Sequence, residues 1–364
     1  MAFTFTYANP DVLHFGSGSV REKLAGELSR LGAKRPFLVT TRSGSALASA
    51  VEAAAGGLFA GRYQGITQHA PAATVMEAAR AAREARADAL VSLGGGSPID
   101  ATKAAAFALA TGLELRDPDA PARSRSLSAA GALPHIAIPT TLSVAELASS
   151  AGYTAEGTLE KVGVAAPELM PAAVLYDAEL AVRTPLELWL STGIRAVDHA
   201  VETVLAPGEH PLADAAALEA LRRLPRALVA AKADPAKQEP RTEGQVAAWL
   251  SYLLPGPAAR GLSHTLGKRL GSRHGVPHGV TSCLLLPHVV RKIGPSRADA
   301  MARLAQALGP SPADAIADLV AALGLPRHLS AFGIGERDLR EAARPLAGKP
   351  LAEDDLVSIL RAAL

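Results

Sequence analysis

The chain has 364 residues, 49% of them hydrophobic and 20% charged, with a net charge of +2; it reads as globular, long enough for two domains, with no charge bias toward a nucleic-acid or membrane-surface partner. One cysteine, Cys283, excludes a disulfide framework and a thiolate metal cluster. The opening MAFTFTYANP lacks a basic region followed by an apolar core, and no apolar run reaches the roughly 20 residues that span a bilayer, so a cytoplasmic protein is expected.

In chain order, VREKLAGELSRLG (20–32) has helical spacing and stops at Gly32, a natural C-cap. RPFLVTT (35–41) reads as a buried strand, SALASAVEAAA (45–55) as a helix, LFAGRYQ (58–64) as a strand and TVMEAARAAREAR (74–86) as a helix. ADALVSL (87–93) is a strand, followed by three glycines and a helix expected to start near Pro98. ELRDPDAPARSRSLSAAGA (114–132) is polar and proline-rich, a surface excursion; HIAIPTT (135–141) and AAVLYD (172–177) are further strands. Such alternation argues for a parallel sheet with helices on both faces. Thr184-Pro185-Leu186-Glu187 reads as a helix start, with a threonine cap and proline at the first helical position. From there the chain is helical: IRAVDHAVETVLA (194–206), PLADAAALEALRRLPRALVAA (211–231), GQVAAWLSYLL (244–254) and SRADAMARLAQALG (296–309). The expected architecture is an α/β dinucleotide-binding domain over 1–179 and an all-α domain over 180–364.

GGGSPIDATK (94–103) carries the clearest chemistry. Glycines between a strand and a helix let backbone approach a bulky anion, and the helix start offers free N–H groups and a positive dipole end. The spacing is not GxGxxG, and the plain alternative is a glycine-rich turn. In the second half, Arg195 and His199 are four apart on one helix, as are His264 and Lys268 on another; each pair shares a face. His278 opens the helix GVTSCLLLPHVV, where the dipole favours a neutral imidazole. Three histidines on three helices can converge; for any one of them, and for His210, His274, His288 and His328, a hydrogen-bonded structural role is the alternative.

Together these segments resemble the iron-containing alcohol dehydrogenase family, within the dehydroquinate-synthase-like fold, over nearly the whole chain. The resemblance is carried by Phe15-Gly16-Ser17-Gly18, GGGSPIDATK, IPTT (138–141) with Glu146, Lys161, LYD (175–177), TGIRAVDHAVE (192–202), SHTLGKRLG (263–271), VPHG (276–279) and LLLPH (284–288). FTYANPDVLHFGSGSV (5–20) and AAPELMPAAVLYDAEL (165–180) look most like its maleylacetate reductase branch. The resemblance implies NAD or NADP at a domain cleft. Gly95, Gly96 and Ser97 would hold the pyrophosphate with Asp100 at the same turn, Thr140, Thr141 and Ser143 would line the adenine and nicotinamide side, and Lys161 would approach the nicotinamide ribose. Where NAD-preferring relatives carry a ribose-binding acid, this chain has Thr40-Thr41-Arg42, which leaves NADP open and makes Thr41 and Arg42 cofactor candidates. A homodimer is expected by analogy alone.

One departure changes the chemistry. Metal-dependent relatives bind Fe²⁺ or Zn²⁺ with one aspartate and three histidines. The histidines map onto His199, His264 and His278, the aspartate onto Arg195, and a further histidine beside the substrate onto Lys268. A guanidinium has no acceptor and cannot ligate a metal. At about 4 Å and an effective dielectric near 20, two unit charges repel by roughly 4 kcal/mol, and a divalent ion faces about twice that. The site therefore reads as metal-free, with Arg195 and Lys268 as candidate catalytic cations suited to a carboxylated substrate and a histidine as proton donor. The plainer alternatives are a surface salt bridge from Arg195 to Asp198 and a solvated helix face for Lys268. The expected function is NAD(P)H-dependent reduction of a carboxylated keto or enoyl substrate, of the kind arising in aromatic-ring breakdown. Alternatives are a metal-dependent alcohol or aldehyde oxidoreductase with Fe or Zn on the three histidines, a lyase or cyclase using NAD as a resident cofactor, and a binding pseudoenzyme.

Overall fold

The structure, a computed structural model, describes residues 9–158, 160–207, 210–253, 261–348 and 351–364. Residues 5–8 of the opening motif and Leu254 of the expected helix 244–254 lie outside them. Two compact units divide the chain, one ending at Thr184 and one running from Pro185 to Leu364.

The first unit runs β1 (Val12–Phe15), α1 (Ser19–Arg30), β2 (Pro36–Thr41), α2 (Ser45–Ala54), β3 (Gly61–Ile66), α3 (Ala72–Glu84), β4 (Ala89–Gly94), α4 (Gly96–Thr111), α5 (Ala120–Arg123), β5 (His135–Pro139), β6 (Ser150–Thr154), β7 (Lys161–Ala165), β8 (Ala173–Tyr176) and α6 (Ala178–Ala181). Six strands form one sheet in the order β1-β8-β5-β4-β2-β3, every neighbouring pair parallel. Side-chain alternation splits its core. Phe37, Val39 and Leu90 pack with α3 and α4, whereas Leu38, Val91, Leu93, Ile136 and Ile138 pack with α1 and α2. Strands covered on both faces explain the near-continuous apolar runs.

Several boundaries differ from expectation. The strand expected at 58–64 begins at Gly61, because Leu58 is 43% exposed and gains nothing from pairing. The helix expected near Pro98 begins at Gly96, with Gly95 as its cap. Thr184 does not cap the next helix: its hydroxyl donates to the Thr140 carbonyl at 2.7 Å, and Pro185 takes the cap position. The antiparallel hairpin β6–β7 and the edge strand β1 had no sequence signal of their own. The excursion 114–132 contains α5 and a 3₁₀ turn at Ser124–Ser126.

The second unit is helical among the described residues: α7 (Leu186–Leu205), α8 (Pro211–Ala233), α9 (Glu239–Ser251), α10 (Leu262–His274), α11 (His278–Ile293), α12 (Ala298–Leu308), α13 (Pro312–Leu323), α14 (Glu336–Ala343) and α15 (Glu353–Ala362). α7 is buried along most of its length and packs on α8, α9 and α11. Glycines permit the close approaches. A Cβ on Gly193 would fall 2.3 Å from Leu228, and one on Gly279 would fall 2.8 Å from the Ser191 carbonyl group. The second contact fixes the start of α11, and with it His278, against α7. His210 proves structural, its Nδ1 accepting from the Ala213 N–H as the cap of α8. No described helix is long and apolar enough to cross a membrane.

Asp177, 2% exposed, ties the two ends of the first unit's chain. Its carboxylate accepts from the backbone N–H of Gly18 at 3.0 Å, Val20 at 2.9 Å and Glu179 at 2.9 Å. Asp177→Ala strands three donors, and the expected loss is about 3 kcal/mol of unfolding free energy. Urea unfolding of both proteins measures it; a loss below about 1 kcal/mol contradicts this role.

Candidate functional site

In the first unit the glycine loop follows β4. Gly94 has φ +132°, a conformation that excludes other residues, and a Cβ there would lie 2.9 Å from Pro98. A Cβ on Gly95 would lie 3.1 Å from Thr141 Cγ2, and one on Gly96 would lie 3.3 Å from Ser143 Oγ. The Thr141 and Ser143 hydroxyls are buried and have no hydrogen-bond partner in the protein. The Ser97 hydroxyl accepts from the His69 N–H at 3.1 Å, which leaves its own proton to be donated elsewhere. The Thr140 N–H donates to the Gly94 carbonyl at 2.9 Å, holding the end of β5 to the end of β4. Across the hairpin β6–β7, Gly152 makes room for Lys161: a Cβ would meet Lys161 Cε at 2.5 Å and Asp100 Oδ2 at 3.7 Å. Thr41 and the exposed Arg42 lie at the end of neighbouring β2, where Thr41 Oγ1 is 3.1 Å from the Gly44 N–H that it accepts.

Two residues behind the loop had no assigned role in the sequence. Lys103 is fully buried, and its Nζ donates to the carbonyls of Ala145 at 2.7 Å, Ala148 at 2.9 Å and Ser150 at 2.6 Å. Burial pushes its pKa down while Asp100 and Glu146 pull it back. Three carbonyls match the three N–H groups of an ammonium, so Lys103 is read as charged. It pins the segment that follows Ser143 to α4. Glu146 is 1% exposed, accepts from the Tyr176 hydroxyl at 2.8 Å, and keeps Oε2 buried without a partner. Burial pushes its pKa up to about 7. Lys103 was visible only as part of a motif; a fully buried lysine is identifiable once the fold is known. His69, with φ +65°, was also missed, since nothing local in TQHAP marks a left-handed residue.

The second unit brings the three histidines together. Ring centroids of His199 and His264 are 6.3 Å apart, and those of His264 and His278 are 5.2 Å apart and nearly perpendicular. Tyr252 flanks His199 at 5.0 Å. The Nδ1 atoms of His199 and His264 are buried without partners. Burial, then the Arg195 charge, holds His199 well below the usual imidazole range, so it is neutral. Arg195 is 3% exposed. Its Nη1 donates to Asp198 Oδ2 at 3.0 Å and to Ser282 Oγ at 3.0 Å. The pair with Asp198 thus exists but is buried, not superficial, and the Arg195 charge is spent on that carboxylate. Glu202 Oε1 accepts from the Ser263 N–H at 2.7 Å, which seats the first turn of α10 beside α7; Gly261 leaves room for that carboxyl. Burial, then Asp198, pushes Glu202 well above the usual carboxyl range. Lys268 lies at an exposed position of α10, one turn after His264.

Residues 10–178 match the sequence family described as iron-containing alcohol dehydrogenase, and residues 189–363 match the C-terminal region of the Fe-containing alcohol dehydrogenase family. The chain belongs to the iron-containing alcohol dehydrogenase family. It is an NAD(P)-dependent oxidoreductase. It is 33% identical over 348 residues to a maleylacetate reductase of Rhizobium sp. (strain MTP-10005), covering 96% of this chain and 92% of that protein. It is 31% identical to a maleylacetate reductase of Delftia acidovorans, covering 100% of this chain and 98% of that protein. Among solved structures, a putative alcohol dehydrogenase from Ralstonia eutropha JMP134 superposes with a TM-score of 0.86 at 31% identity, covering 100% of this chain and 98% of that one. The maleylacetate reductase from Agrobacterium tumefaciens gives a TM-score of 0.84 at 29% identity, covering 100% and 99%.

The family's nicotinamide dinucleotide fits the glycine loop: the Thr141 and Ser143 hydroxyls are orphaned, and the space where a Cβ of Gly95 or Gly96 would crowd them is left clear. Arg195, one turn before His199 on α7, has no acceptor to offer the family's metal. Among the described residues no three His, Cys, Asp or Glu side chains meet as a metal-holding group. Asp198 Oδ2 is already taken by Arg195, Ser263 and Ser282.

Glu146 makes stability depend on pH. Its folded pKa, about 7, exceeds the ordinary value of 4.5. The folded protein therefore holds a proton that the unfolded chain releases. The associated stability is full below the lower value and lost as pH rises through the higher, by at most about 3 kcal/mol. Glu146→Gln should flatten this part of the profile, as read by urea unfolding at about pH 5 and about pH 8. Parallel profiles for parent and variant contradict the assignment.

Proposed function

We propose that this protein is a maleylacetate-reductase-type enzyme, which reduces an unsaturated keto-dicarboxylate with NADH or NADPH and without a metal ion. The observation that supports this is Arg195, buried and ion-paired with Asp198 one turn before His199 on α7, at the position where the resemblance puts the family's metal-binding aspartate. The names of several relatives point to the same substrate.

The bound nicotinamide supplies the hydride. Gly95, Gly96 and Ser97 hold the diphosphate at the start of α4, Thr140, Thr141 and Ser143 line the nucleotide, and Asp100 and Lys161 stand beside the loop. The absence of an acid at Thr40-Thr41-Arg42, with Arg42 exposed, suits a 2′-phosphate as well as a free ribose hydroxyl. Reducing a carbon–carbon double bond conjugated to a ketone leaves an enolate that must be stabilised and protonated. Lys268 is the exposed cation of the second unit's set and binds a substrate carboxylate. His264 or His278 delivers the proton; His199, kept neutral, offers a hydrogen bond to the oxygen. Arg195 acts indirectly, adding its charge to burial in holding His199 neutral, and not as a substrate ligand.

Two outcomes test this reading. Activity should survive exhaustive chelation, with well below one Fe or Zn per chain in protein purified without added metal. Stoichiometric metal, with activity lost on chelation and restored on addition, favours the metal-dependent alcohol dehydrogenase reading instead. Lys268→Met keeps most of the stem and removes the charge, so kcat/KM for maleylacetate should fall roughly tenfold to more than a hundredfold, and little for a neutral aldehyde. NADH and NADPH oxidation with both substrates measures it; equal losses on both, or a parent that prefers aldehydes, removes the dicarboxylate assignment.

A further inference from the structure

If no metal joins the three histidines, something else must set their spacing. Asp198 Oδ2 accepts from Arg195 Nη1 at 3.0 Å, from Ser263 Oγ at 2.9 Å and from Ser282 Oγ at 2.6 Å. These donors sit on three helices, α7, α10 and α11. Each tie lies beside one histidine. Asp198 precedes His199, Ser263 precedes His264, and Ser282 is one turn beyond His278 on the same helix face. We propose that Asp198 is a positioning residue, whose single carboxylate oxygen joins the three helices and fixes the relative placement of His199, His264 and His278.

The geometry differs from that of a simple core salt bridge. A guanidinium and a carboxylate left to themselves pair through two parallel bonds. Here Asp198 Oδ1 and Arg195 Nη2 are both buried without partners, while Oδ2 takes all three donors. Arg195 Nη1 also donates to Ser282, so the pair is arranged around the helix ties. Burial raises the Asp198 pKa, and the Arg195 charge and then the Ser282 and Ser263 hydroxyls act against that rise at a carboxylate with 0% exposure. Asp198 touches no histidine ring in this scheme and acts through the helices.

The proposal rests on reading the histidine cluster as the reacting site, but its decisive measurement needs no substrate. Imidazole resonances of ¹⁵N-histidine-labelled protein report the surroundings of each ring. Ser282→Ala cuts the tie to α11 and should displace the His278 signals most; Ser263→Ala cuts the tie to α10 and should displace those of His264 most. Asp198→Asn should move both. In each variant NADH affinity, read by fluorescence, should stay within about twofold, while kcat falls about tenfold or more. Asp198→Asn leaves a buried guanidinium unbalanced and risks misfolding; the two serine variants keep the question decidable. Unshifted histidine signals in both serine variants, or the same diffuse shifts across all histidines in each, overturn the proposal. A parent that does not turn over maleylacetate removes the proposed substrate and leaves this resonance test intact.

Discussion

A carboxylate and a guanidinium with almost no contact with water govern the helical unit. Removing either Arg195 or Asp198 alone leaves an uncompensated charge in a low-dielectric interior, a cost of about 3–5 kcal/mol that few single contacts rival. Much else is arranged around that pair. Ser263 and Ser282 turn their hydroxyls inward to it; burial and then Arg195 lower the His199 pKa, and burial and then Asp198 raise that of Glu202. Gly279 and Gly261 are the spatial counterpart, since a side chain at either would push an attached helix off α7.

The α/β unit solves a similar problem differently. Lys103 pairs with Asp100 Oδ1 only at 3.8 Å, and its ammonium is met more closely by three backbone carbonyls. Charge there converts an irregular segment, with Val144 at φ +54°, into a fixed wall beside the glycine loop. Both units thus use buried charge, a pair in one and a lysine in the other, to immobilise the segments around the candidate site.

The sheet was legible because strands covered on both faces leave unbroken apolar runs, as in ADALVSL and HIAIPTT, between helices of clear periodicity. The hairpin β6–β7 was not legible: its second strand, KVGVA, is largely open to solvent and resembles a loop. For the site, motif resemblance singled out Gly95, Gly96, Thr141, Ser143 and the three histidines, and the geometry groups them within their units. What it missed has a common cause. Whether Asp198 meets Arg195 at the surface or in the core depends on what covers α7, and Ser263 and Ser282 look like any other helix serines until three helices are placed together. The same holds for the start of α7, where Thr184 fits a cap by sequence and spends its hydroxyl on Thr140.

The pairing of β1 with β8 bears on how the first unit is made. Leu13 and Val174 are register partners, so among the described residues this edge strand pairs only with the last strand of the sheet. Contacts of such long sequence separation form late, because the entropy of closing the loop is lost before the pairing returns anything. During synthesis β1 and the glycine turn after it wait for β8, whereas β2, β3 and β4 have partners closer in sequence. This edge is where a nascent chain is most exposed to wrong pairing, and the bonds from Asp177 to Gly18 and Val20 mark the moment at which that exposure ends.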